Sequence, residues 1–440
     1  MSTRIESTQN IPFAHAQPRA RYAQGAVLLV AVFASALFAS FISPQISLFG
    51  RGLRLSLPLF ALLGGVILVI RPGAIKYLSV YGGSIAAGLL YVATGTLRYL
   101  LDPLPTFFQN FVLTAAVCLM LWMVILIIRN GFPEAVETIR WLTLIILGVS
   151  LGMGVPLLLE QPGVARLTMG NPMADVYGAA LHPRGVANYS WYTVVGFAFP
   201  VMANWLYKSS RSVFWKLIGW GCLFAASAAT LFSTFTMAAT LLVVGALSWL
   251  TLLATTTKRK LLRLVGMVIV LVFLIAFPSL ILWGSEFEAT QFVVSKATRL
   301  IEGTFTEGVL EADETGRTQM FVDTMDTFLK HPLFGAWGLT PNFYIGGHSS
   351  WADTLASQGL FGLLLWIGFI SPALRRGKKP FSIDEGAAGG TLSWMLLAGG
   401  GILNPTFQNA IGLILLWLFD DGGLWRANNS KVALTRRRKG

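Results

Sequence analysis

The chain has 440 residues, with 33 Lys and Arg against 20 Asp and Glu, for a formal charge of +13. Hydrophobic residues make up 55% and charged residues only 12%, about half the ~25% charge of an ordinary soluble domain. So little charge cannot cover a soluble surface of this size. Intrinsic disorder, a disulfide scaffold and a nucleic-acid module are excluded, and an all-α polytopic membrane body is predicted.

The first segment, 1–24, is polar and contains Pro12 and Pro18. It lacks a cleavage site after the first apolar run and reads as a cytoplasmic tail. Apolar runs long enough to cross a bilayer, about 20 residues each, follow at 25–42, 53–70, 78–100, 106–128, 139–159, 188–207, 215–232, 235–255 and 264–283. Three more lie at 353–370, 391–403 and 407–419, the last two short and separated by Asn404-Pro405. The expected architecture is therefore about twelve transmembrane helices. Spans one to nine fill 25–283, spans ten to twelve fill 353–419, and a basic tail occupies 420–440. Cys118 and Cys222 both fall within apolar runs and read as packing residues.

With the N-terminus inside, 24 of the 33 basic residues fall in cytoplasmic segments. An even number of spans with both termini cytoplasmic obeys the positive-inside rule. Two outside segments are then too long for turns, 160–187 and 284–352. The second, with Asp353 at its edge, holds ten of the twenty acids against four basic residues. Long loops on a rigid scaffold commonly carry function.

In the long loop, Thr315-Gly316-Arg317 opens a helical stretch that Pro332 ends. A Gly- and Pro-punctuated coil then leads to His348-Ser349-Ser350-Trp351-Ala352-Asp353. Ser350 with Asp353 has capping-box spacing, which places His348 at a helix N-terminus. That field disfavours an imidazolium and favours a neutral histidine able to accept a proton. His331 reads as a C-terminal cap, His182 as a weaker candidate, and Trp337, Tyr344 and Trp351 as loop packing. Arg184, just before the sixth run, and Arg317 in the long loop are suited to converge on one anionic group, since guanidinium matches phosphate oxygens in a bidentate way. Each arginine also has a structural reading, as a solvated helix-end charge or as a side chain reaching lipid headgroups.

The runs TGRTQMFVDTMDTFLKHPLFGAWGL and GGHSSWADTLASQGLFGLLLW, within 315–366, resemble the signature region of the O-antigen ligase and polymerase superfamily. These are the WaaL-like and Wzy-like bacterial membrane glycosyltransferases. The resemblance implies a GT-C-type fold in the inner membrane, with one long periplasmic loop containing short helices. It implies transfer of a glycan from an undecaprenyl diphosphate carrier to an acceptor at the periplasmic face, with no metal or cofactor. The acceptor is a second lipid-linked glycan for a polymerase, or lipid A-core for a ligase, and the wording around His348 leans towards the polymerase. By position, the family's diphosphate-holding arginines become Arg184 and Arg317, and its histidine becomes His348. One element departs. Members often carry Ser-Arg-Gly in a middle span, whereas Ser233-Thr234-Phe235-Thr236-Met237 has no arginine, and Arg166 is the substitute. The rival class is a transporter or flippase of lipid-linked glycan. It would be expected to carry ionisable residues deep in its spans, and none of the twelve runs has a clear one.

Overall fold

The computed structural model describes residues 22–47, 52–101, 112–161, 163–168, 173–256, 317–336, 345, 349–374, 388–403 and 409–420. Outside them lie most of both predicted tails, the ninth span at 264–283, most of the long loop including His348, and the Asn404-Pro405 break. Among the described residues the ordered elements are helices, with no strand.

In chain order these are α1 (Tyr22–Ile42), α2 (Pro44–Ser47), α3 (Gly52–Ile70), α4 (Gly82–Leu101), α5 (Thr114–Gly131), α6 (Pro133–Gly152) and α7 (Val155–Glu160). Then come α8 (Ala174–Leu181), α9 (Tyr189–Lys208), α10 (Val213–Phe232), α11 (Thr236–Thr256), α12 (Arg317–Lys330), α13 (Ser350–Leu374), α14 (Ala388–Leu403) and α15 (Ala410–Phe419). Among the described residues, six segments are long and apolar enough to cross a membrane: Gln24–Ile42, Pro72–Leu100, Thr114–Gly131, Pro133–Glu160, Val213–Phe232 and Ser350–Ser371. Shorter apolar helices cover Ser56–Ile70, Met237–Thr251 and Ala410–Phe419.

The predicted sixth span, α9, is the centre of the bundle. Its side chains from Trp191 to Leu206 are almost all buried, and it packs against α10, α11, α14 and α15. A helix surrounded by other helices meets little lipid, so it tolerates polar residues and an internal proline. Pro200 interrupts its hydrogen-bond ladder, and the Val201 N–H donates to Ser393 Oγ on α14 at 3.1 Å.

α13 is broken in its first half, at Gly359 (φ 66°, ψ −168°), and four of the backbone groups beside the break are met from outside the helix. Leu360 N donates to Pro332 O at 2.9 Å and Phe361 N to Leu333 O at 3.0 Å. The orphaned carbonyl of Ala356 accepts from Ala336 N at 2.8 Å, and that of Ser357 accepts from the buried Arg98 guanidinium on α4. The turn after α12 is thereby fastened into α13, as the full pairing of buried backbone demands. The sequence offered only a single glycine as a sign of it.

Buried arginines also close α15, the last helix among the described residues. Arg129 donates to the carbonyls of Trp417 and of Asp420 (3.0 Å), and Arg140 Nε donates to Leu418 O at 2.8 Å. These are the unpaired carbonyls at the negative end of α15, where cationic donors are favourable. By sequence, Arg129 and Arg140 count as loop charges. In the structure only Phe132 separates α5 from α6, and both arginines are buried inside helices.

A Cβ on Gly359 would stand 2.3 Å from Leu333 O, and its φ is one that side chains disfavour. Gly359→Ala is therefore expected to cost about 2–4 kcal/mol, read as a lower thermal midpoint in detergent. Gly399→Ala, where a Cβ meets nothing within 4 Å, should leave the midpoint within about 1 °C or raise it slightly.

Candidate functional site

The N-terminal end of α9 gathers chain from across the sequence. Asn188 caps it, accepting from Ser190 N at 3.0 Å. Trp191 Nε1 donates to Ile42 O, at the end of α1, at 2.8 Å. Asn409 Nδ2 donates to Ser190 O at 3.2 Å, while its Oδ1 caps α15. The start of α13 lies at the same end. α14 runs antiparallel to α9, with Gly389 against Asn204 and Ser393 against Val201, so its far turns reach the level of Tyr189. There Ser349 Oγ donates to Gly401 O at 3.4 Å and Trp351 Nε1 to Ala398 O at 2.9 Å.

Arg166 is carried on a short 3-10 turn, Val164–Thr168, anchored by buried Val164, Ala165 and Thr168. Its guanidinium crosses to the junction between α10 and α11. Nη2 donates to Thr234 O at 2.6 Å and Nε to Thr234 Oγ1 at 3.2 Å. The cation also sits over the Phe235 ring, 5.7 Å from its centroid, a favourable cation–π placement. Tyr189 and Tyr192 flank the same ring, with centroids at 5.4 and 5.9 Å. Thr234 has φ +60°, a conformation costing a β-branched residue on the order of 1–3 kcal/mol. Two bonds from one guanidinium help to hold it there. The junction joins the C-terminal end of α10 to the N-terminal end of α11, whose unpaired N–H groups and dipole attract anions.

Arg184 reaches this end through a second 3-10 turn, His182–Arg184. α8 packs against both turns and so bridges the two arginines. Arg184 is exposed and makes no hydrogen bond or ion pair with another described residue. It is set by Gly185 (φ 85°), whose missing Cβ would lie 2.5 Å from Gly154 N and 2.7 Å from Ser150 O. Only a glycine permits both that turn and that approach to the end of α6.

His182 is half-buried, with Nδ1 2.8 Å from Val186 O. Its ring lies against Trp191 at 6.1 Å. Burial lowers its pKa below the usual histidine value, and the bond to Val186 opposes this in part. The bond and the burial fit a neutral ring that donates from Nδ1.

Arg317 is the first residue of α12, and its side chain lies outside the described residues. α12 packs on α13, so the helix that begins at Arg317 is fixed to the one that begins just after His348. The cap of α13 falls one residue earlier than its sequence spacing predicts. Ser349 Oγ accepts from Ala352 N at 3.2 Å, and Asp353 Oδ2 accepts from Ser349 N at 3.1 Å. His348 is thus the residue immediately before the cap. Arg166 and Arg184 occupy one end of the bundle, together with the residue that follows His348. Thr234, Phe235 and Tyr189 were missed as site residues. The polar cluster Ser-Thr-Phe-Thr between two long apolar helices was the available signal.

The low pKa of His182 means that the unfolded chain takes up its proton first as pH falls. Stability should therefore be complete above about pH 6.5 and decline as the pH drops below it. His182→Gln should flatten that decline, measured as the thermal midpoint between pH 7.5 and 5.5.

Residues 222–367, from α10 into α13, match a family model described as O-antigen ligase. No curated protein matches the chain. The matched third of the chain contains the Thr234 junction, Arg317 and His348, and this O-antigen ligase domain supports placing the chain in the O-antigen ligase/polymerase superfamily.

Proposed function

We propose that the chain is an inner-membrane glycosyltransferase of GT-C type, with about twelve spans and both termini cytoplasmic. It moves a glycan from undecaprenyl diphosphate to an acceptor sugar at the periplasmic face. The observation that carries this reading is the Arg166 guanidinium seated on Thr234 and Phe235. A positive charge stands there at a helix N-terminus, on partners that lie within the family segment, and at the same end as Arg184 and Ser349.

Arg166, Arg184 and Arg317 hold the diphosphate and stabilise the charge that grows on it as the bond to the sugar breaks. A diphosphate is a good leaving group and needs no strong acid. The acceptor hydroxyl attacks the anomeric carbon from the opposite face, and its proton passes to the imidazole of His348. The electron pair of the broken C–O bond departs with the lipid diphosphate, and the anomeric centre inverts. No metal takes part.

The polymerase-like reaction, with a second lipid-linked glycan as acceptor, is the preferred reading. The matched family's description favours the ligase reaction, with lipid A-core as acceptor, as the alternative. The buried arginines Arg98, Arg129 and Arg140 each donate to backbone carbonyls. They therefore serve structure better than they would an ion relay in a flippase.

With a lipid-linked donor and both acceptors supplied to purified protein, His348→Ala should lose roughly 100- to 10,000-fold in transfer. Its donor affinity should be unchanged. Wild-type transfer by His348→Ala, with the protein correctly inserted, contradicts the base assignment. Arg166→Lys keeps the charge but not the fork. It should lose roughly 10- to 100-fold in kcat/KM, through weaker donor binding and slower leaving-group departure.

A further inference from the structure

The opposite end of α9 holds a charged recess, which the proposed transfer does not use. α9 has 20 residues, so Lys208 lies about 30 Å from the Asn188 end. There a cavity of about 480 Å³ opens between the first turns of α6, the end of α9 and the segment leading to α10. Arg140, Lys208 and Arg211 line it, together with Glu137, Trp205 and Ser209. Three basic groups against one acid give the lining a formal charge of +2.

Several of these groups are fixed in place. Arg140 is 6% exposed and held through Nε by Leu418 O. Both oxygens of Glu137 accept from indoles, Trp141 Nε1 at 3.0 Å and Trp205 Nε1 at 3.3 Å. Ser209 Oγ accepts from Arg211 N at 3.3 Å, which sets the turn that carries Arg211. The wall behind is aromatic. Trp141 meets Trp205 and Trp215 at 5.0 and 6.0 Å, and Trp205 meets Phe419 at 5.0 Å. Tryptophans grouped at helix ends mark headgroup depth in a membrane protein. Basic recesses between helices at that depth suit phosphate-bearing headgroups.

We propose that this recess binds a phosphate group, with Lys208 and Arg211 as its principal cationic contacts and Arg140 as a fixed positive charge behind them. Two sources share that chemistry, the headgroup of an anionic phospholipid and a soluble phosphate. The test uses the full chain in phosphatidylcholine nanodiscs, with phosphatidylglycerol added to the bilayer in one arm. Inorganic phosphate is titrated at constant ionic strength in the other. In the wild type, the arm holding the true source should raise the thermal midpoint by about 3–5 °C.

The double variant Lys208→Gln/Arg211→Gln should lose most of that shift. Lys208→Arg/Arg211→Lys, which keeps both charges, should retain it and guards against simple misfolding. A shift with phosphatidylglycerol alone assigns a lipid headgroup, and one with inorganic phosphate a soluble ligand. No shift in either arm, or equal shifts in wild type and the Gln variant, would overturn the proposal.

Discussion

A helix buried among its neighbours relies on protein for most of its polar partners, and α9 imposes that condition on the rest of the bundle. The hydroxyl of Thr193 is an exception that finds no hydrogen bond among the described residues. Water is not available there to satisfy an unpaired group, so each loss costs a full desolvation penalty. The neighbours of α9 are arranged accordingly. Its first turn accepts from Asn409, its Trp191 holds the end of α1, and its Tyr192 hydroxyl accepts from Ala187 N at 3.0 Å. Segments more than 200 residues apart in sequence, Ser190 and Asn409 among them, are drawn to one end. The candidate site is built where they meet.

Arginine does three different jobs in this structure. Arg98, Arg129 and Arg140 are buried and spend their donors on backbone carbonyls at helix breaks and ends. Arg166 is shared between holding a strained threonine and presenting charge at a helix N-terminus. Arg184 is exposed on a turn that only glycine allows. A guanidinium suits all three because it stays charged and offers donors in a rigid fork.

Membrane character and helical class were legible from the sequence, because scarcity of charge and runs of apolar residues act locally. The positions of α1, α9 and α10 lie close to the runs that announce them. What escaped was long-range. The break in α13 depends on a turn some twenty-five residues upstream, and a lone glycine does not reveal its partner. Arg129 and Arg140 look like loop charges because the carbonyls they serve lie almost 300 residues away. The missing arginine in the Ser233–Met237 element was legible as a gap, for which Arg166 is the proposed substitute. The physical link between them, two hydrogen bonds to Thr234, could be read only from the fold.

The central claim is that the end of α9 bearing Arg166 and Arg184 is where a lipid diphosphate is held. An electron cryomicroscopy structure of the protein in nanodiscs with undecaprenyl diphosphate tests it most directly. The account predicts diphosphate density within hydrogen-bonding reach of both guanidinium groups, beside the Thr234 junction. Density that touches neither arginine, or that lies at the Lys208 end of α9, would contradict it.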